Sequence, residues 1–189
     1  MKQGIKINQQ KGAVLAVSLI ILLIMTIIGL QGMSSTTLEE RMSRNYRDSQ
    51  LSFQAAEAAL RDAENTIQTT ALNLANYDAS CTNGLCFNGA SGACPVVNPA
   101  TDFWKDFSNV WNSSANHKVY SGTITGVFSE PKYIVEFQCY VQTNPNLPEP
   151  TTTPGTNDEW SEMYRITALG FGASDTSRTM LQSTYKKPL

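Results

Sequence analysis

Between residues 13 and 30, 15 of 18 residues are apolar, and no charge occurs from residue 12 to residue 38. A helix needs about 20 apolar residues to cross ~30 Å of hydrocarbon, so this run is long enough to span a membrane. The helical period then continues into a polar background. Leu38, Met42, Tyr46, Phe53, Ala56, Leu60, Ala63 and Ile67 recur at steps of three, four or seven, with Ser49 filling the long step. That spacing is one stripe on one helix face. Alanines at 55, 56, 58, 59 and 63 favour helix, and no Pro precedes Pro95. Glu57 and Arg61 form an i,i+4 pair in the favourable order. The pattern predicts one helix over about 13–67, ~80 Å long at 1.5 Å per residue. It is apolar all round in its first half and amphipathic in its second.

Downstream the period changes to two. Tyr133, Val135, Phe137, Cys139 and Val141 alternate with Ile134, Glu136, Gln138 and Tyr140, the signature of a strand with one apolar face. Residues 163–172 and 178–186 read as two more strands joined by a connection of hairpin size, 173–177. Residues 119–128 are a candidate first strand. The segment between the second and third runs holds Pro145, Pro148, Pro150 and Pro154 and reads as a loop. Thr101 can cap a short helix, with Asp102 and Asp106 placed early against its dipole. Phe103, Trp104, Phe107, Val110 and Trp111 then share a face, which is expected to be core, with an exposed ligand platform as the alternative. The fold class is therefore α+β: a long N-terminal helix packed on a small antiparallel sheet of about four strands. A disulfide-bonded insertion over 78–118 is expected between them.

Composition narrows the chemistry. The chain has 189 residues, 14 basic and 16 acidic, a formal net charge of -2 and one histidine. That balance gives no electrostatic footprint for nucleic acid. A single His leaves Ser-His-Asp or Cys-His catalysis almost unsupported and offers no His pair for catalytic zinc. His117 lies in a polar loop and is expected to be solvated. No phosphate loop or EF-hand spacing occurs, so no catalytic residue, cofactor or metal is expected. Cys81, Cys86, Cys94 and Cys139 are spaced unlike zinc ligands and lie on the side of the membrane where oxidation is expected. Four cysteines allow three pairings, and the sequence does not choose between them. The arrangement favoured here is Cys81 with Cys86, closing the Asn83-Gly84 turn, and Cys94 with Cys139.

The start of the chain carries a second signal. Lys2, Lys6 and Lys11 precede the apolar run with no acid among them, which keeps residues 1–12 cytoplasmic and sends the rest outward. An ordinary secretory signal has an apolar stretch of only 7–15 residues, shorter than this one. The junction Gln10-Lys11-Gly12-Ala13 instead sets a basic leader ending in Gly flush against the apolar run. That is the form of a prepilin-type signal, cut between Gly12 and Ala13 on the cytoplasmic side. Three segments are expected: leader 1–12, membrane and polymerisation half of the helix 13–38, and a periplasmic domain 39–189. The last is 151 residues, enough to bury close to ~70% of its unfolded surface.

The stretch KGAVLAVSLIILLIMTIIGLQGMSSTTLEERMSRNYRDSQLSFQAAEAALRDAE resembles the N-terminus of the PilX family of minor pilins, and YRITALGFGASDTSRTMLQSTYKK resembles its end. The resemblance covers roughly the first 65 and last 25 residues. It implies a pilus assembly protein with no enzymatic activity, handled by the prepilin peptidase, methylated on Ala13, and held in the inner membrane before extraction into a fibre. Its partners would be other minor pilins and the major pilin, and its role adhesion or twitching motility. Most pilins carry Glu five residues into the mature chain, where it is thought to neutralise a neighbour's N-terminal amine. Here that position is Val17. A lone carboxylate in an apolar core is expensive, and a subunit with no neighbour beyond it has no amine to pair, so Val17 points to the pilus tip. The alternatives are a minor pseudopilin of a type II secretion system and a membrane-anchored periplasmic binding domain with the Pro-rich loop, Trp104 and Trp111 as its site.

Overall fold

A computed structural model describes residues 13–70, 73–87, 102–146 and 159–189. Helix α1 spans Ala13–Thr69 in one run, two residues past the expected end. The sheet contains β1 (Leu85–Cys86), β2 (Lys118–Val119), β3 (Lys132–Gln142), β4 (Trp160–Phe171) and β5 (Arg178–Pro188). Its order is β1-β3-β4-β5, with β2 also on β3. β3, β4 and β5 form an antiparallel meander, and β5 keeps one register with β4 over every pair from Ser161–Pro188 to Phe171–Arg178. The sheet is mixed, because the two-residue β1 runs parallel to β3.

Two expectations need correction. The strand expected over 119–128 is only the Lys118–Val119 pair with β3, and the chain then turns through Gly126 at φ +91. The short helix expected over the aromatic run is a 3-10 turn at Phe103–Lys105 followed by a π-type turn at Phe107–Trp111. Asp106 caps the second turn by accepting from Asn109 N at 2.9 Å, which is why the run breaks there. Thr101, the proposed cap, lies outside the described residues, as does most of the Pro-rich loop.

The amphipathic part of α1 packs on the sheet through small side chains. Ser52, Ala55, Ala56, Ala59 and Ala63 are essentially fully buried, and Ile67 ends the seam. Burying Ile67 alone contributes roughly 1.5–3 kcal/mol. Opposite them on β4, a Cβ at Gly170 would overlap Ser52 O and Ala56 N. The missing side chain therefore sets how closely helix and strand approach. Hydrogen bonds fix the helix along its length. Ser52 Oγ lies 2.6 Å from Thr179 Oγ1, and Asp62 accepts from Ser121 N and Oγ. Thr66 Oγ1 lies 3.2 Å from Tyr133 Oη. No basic residue occupies the last turn of α1, so its free carbonyls need partners from elsewhere. Lys187 Nζ supplies them, donating to Ile67 O at 2.7 Å and Thr70 O at 3.0 Å.

The other face of the sheet is also covered. Phe103, Val110 and Trp111 pack on Ile134, Leu169 and Phe171. β3 is therefore buried on both faces, and its sequence alternation does not separate inside from outside. Glu136, at a position expected to be polar and open, is 1% exposed. It is matched by Arg165, which donates from Nε and Nη2 at 2.7 and 2.8 Å.

Candidate functional site

The first half of α1 presents an uncharged apolar surface. Val14, Leu15, Leu19, Ile20, Leu22, Leu23, Met25 and Leu30 are all well exposed, around the whole circumference. The helix is long and apolar enough there to cross a membrane. Its few hydroxyls do not compromise that surface. Ser18 donates to Leu15 O at 2.9 Å and Thr26 to Leu23 O at 2.8 Å, so each is satisfied within its own helix, as a lipid or protein interior requires. Ala13 is the first described residue of α1, and Val17 lies on it, 54% exposed. Gly12 is outside the described residues. Farther along, Leu38, Met42, Tyr46 and Phe53 are exposed on the same stripe that Ala56, Ala63 and Ile67 bury. Glu40–Arg44 and Glu57–Arg61 ion pairs flank the stripe on the polar side.

The insertion is locked by the Cys81–Cys86 disulfide. Cys81 and Asn83 adopt positive φ, 61° and 56°, and Gly84 follows at 77°. A side chain at Gly84 would also meet Lys118 N, so this residue is needed for both its backbone angle and its lack of bulk. Asp78 anchors the loop by accepting from Ser80 N at 2.7 Å and Thr82 N at 3.1 Å. Bonds from the Thr82 hydroxyl and from backbone N–H groups hold its carboxyl below the ordinary value, against the effect of burial. Cys139 is buried and disulfide-bonded; Cys94 lies outside the described residues.

His117 is not solvated. It is 5% exposed, with Nδ1 2.9 Å from Val110 O. Burial pushes its pKa down, aided by the charge of Lys132 and opposed by the Val110 and Ser113 carbonyls. The aromatic stripe divides. Phe103, Val110 and Trp111 are core, while Phe107 is exposed. Trp111 Nε1 donates to Trp104 O at 2.9 Å, and Lys132 Nζ donates to Trp111 O at 3.1 Å. A cleft of ~440 Å³ lies beside His117, lined also by Thr66, Lys118, Tyr133 and Val135. It brings no carboxylate to the imidazole. Among the described residues no group of three or more His, Cys, Asp or Glu could hold a metal.

The helix–hairpin latch was not legible in the sequence. Asp48 accepts from Ala173 N and, at 2.9 Å, from Ser174 Oγ in the β4–β5 connection. Those bonds, the Ser174 hydroxyl foremost, hold its carboxyl below the ordinary range against the effect of burial. A Cβ at Gly172 would strike Asp48, so the glycine leaves room for the latch. In the sequence Asp48 is one acid in a charged helix face, and nothing local distinguishes it.

The polar chemistry thus holds a frame together, while the large unpartnered feature is apolar helix surface. Residues 11–61 match the family model PilX N-terminal, and residues 56–187 match the one for Type IV pilus assembly protein PilX C-term. No curated protein and no solved structure matches the chain. With most of its length matched across both models, the chain belongs to the PilX family of type IV pilus assembly proteins.

Proposed function

We propose that this assembly protein is a minor pilin that initiates or caps the fibre. Residues 1–12 are its cytoplasmic leader, removed by the prepilin peptidase between Gly12 and Ala13. Residues 13–38 hold it in the inner membrane and later in the fibre core, with 39–189 on the periplasmic side. The observation that carries the reading is the exposed, uncharged apolar surface of α1, with no acid in its first turn. Such a surface is stable only in lipid or against other apolar helices. Val17 supports a tip position. A carboxylate there costs several kcal/mol in an apolar core unless an amine from a neighbour meets it.

Mass spectrometry of the protein from cells with an active prepilin peptidase tests the first part. The expected species begins at N-methylated Ala13, and a chain beginning at Met1 would defeat the reading. Val17→Glu tests the position. At a tip it lowers the number of surface pili, whereas in the shaft it supplies an ion pair and raises the amount of this subunit per sheared fibre.

A further inference from the structure

The two edges of the sheet are treated differently. Beyond β3 the edge is covered in two short pieces by β1 and β2. Beyond β5, no strand pairs among the described residues. Proteins ordinarily blunt a free edge with short length, bulges, charges or proline, because its open N–H and C=O groups template another strand. β5 has 11 residues, a continuous register with β4, and no charge from Thr179 to Tyr185.

The alternation of the ladder shows which groups are open. Gly172 N donates to Ser177 O and Leu189 N to Trp160 O, so the odd-numbered residues of β5 bond to β4. In an antiparallel pair the residues between them point their backbone groups the other way. Arg178, Met180, Gln182, Thr184 and Lys186 therefore direct N–H and C=O outward. Pro188 belongs to the same set, and its missing N–H falls on the open side, where proline is tolerated in a strand.

We infer that the outer edge of β5 receives an extended segment of a different pilus-assembly subunit, added as a further strand. This rests on the reading of the chain as an assembly subunit. Main-chain bonds would supply the pairing, and charge selects the partner. Arg178 and Lys186 lie on one face of β5, about 27 Å apart at ~3.4 Å per residue. A second copy paired antiparallel along the full strand, centred on Gln182, would set Arg178 opposite Lys186 at both ends, and like charges across a strand pair repel. The fitting segment is uncharged at its centre and acidic at one or both ends.

The test uses the full chain in piliated cells, with a photo-crosslinking amino acid at Gln182 and, separately, at Leu23. The Gln182 probe is expected to join one peptide of another pilus subunit, identified by mass spectrometry. Thr184→Pro removes an outward N–H without removing a ladder bond to β4, and it should cut that product at least tenfold. Thr184→Ala should leave it unchanged, with both variants melting within a few degrees of each other. Equal product from the Pro and Ala variants overturns main-chain pairing. Product only with a second copy of this chain overturns the choice of partner. Crosslinks from Leu23 but none from Gln182 overturn the edge proposal and leave the assembly reading standing. The reverse pattern, Gln182 joined to another pilus subunit with no product from Leu23, preserves the edge and overturns the reading of the apolar half of α1 as a fibre-packing helix.

Discussion

Gly170 sets the distance between α1 and β4, and adding one methyl group there tests that claim. A Cβ would overlap Ser52 O, Ala56 N and Ala56 Cβ. Two of the three atoms are helix backbone and cannot rotate away, so relief requires helix and strand to separate by on the order of 1 Å. A gap of that size forfeits a quarter to a half of each contact across it, and the seam of Ala55, Ala56, Ala59 and Ala63 is fully buried. Overpacking a core costs about 1–3 kcal/mol where side chains can yield. With backbone in the way Gly170→Ala belongs at the upper end, ~3 kcal/mol. In a domain of this size that lowers Tm by about 6–12 °C. Tryptophan fluorescence of the detergent-solubilised chain reads the transition, since Trp111 is 1% exposed and the apolar part of α1 contains no Trp. Ala56→Gly removes only the Cβ from the overlap, so the double variant should recover less than half of the loss. A Tm within 2 °C of wild type, or full rescue by Ala56→Gly, would refute the backbone-contact account.

Three further outcomes follow from the packing. Arg165→Met strands the carboxylate of Glu136, whose side chain is 1% exposed, and should cost ~3–5 kcal/mol in urea unfolding. Glu136→Gln leaves an arginine that is 28% exposed and 3.7 Å from Asp102, and should cost clearly less; the reverse order would contradict the buried-pair reading. The folded-state pKa of His117 is depressed, first by burial, so its contribution to stability is present above the unfolded value of about 6.5 and lost as pH falls through the folded value. Wild type should therefore lose stability between pH 7 and pH 5 more steeply than His117→Gln, and parallel profiles would show that the imidazole is not held neutral. Alkylation of the unreduced, denatured chain should label neither Cys81 nor Cys86, and modification of either by mass spectrometry would show the loop open.

Local pattern located α1 and the three long strands that become β3, β4 and β5, while the order in which they pair came from the structure. A stripe at steps of three, four and seven, and an alternation of two, are properties of local geometry that need no partner to be read. The charge-free run likewise marks a membrane-compatible helix whatever else the chain does. The Cys81 with Cys86 pairing was favoured by the sequence but not chosen by it: five residues of separation and an Asn-Gly turn place the two sulfurs near each other locally, and the structure joins them. What the sequence could not settle depends on groups brought together from far apart. His117 was expected in water, yet it is buried with its ring against the Val110 carbonyl. Glu136 looked like the open face of a strand until the insertion covered that face and Arg165 arrived from β4 to match it. Asp48 and Lys187 read as ordinary surface charges, and only the tertiary structure aims one at the hairpin and the other at the last carbonyls of α1. Whether a sheet edge is covered or open is decided in the same way, because backbone groups are the same in every residue but proline and only the arrangement of strands shows which of them remain unpaired.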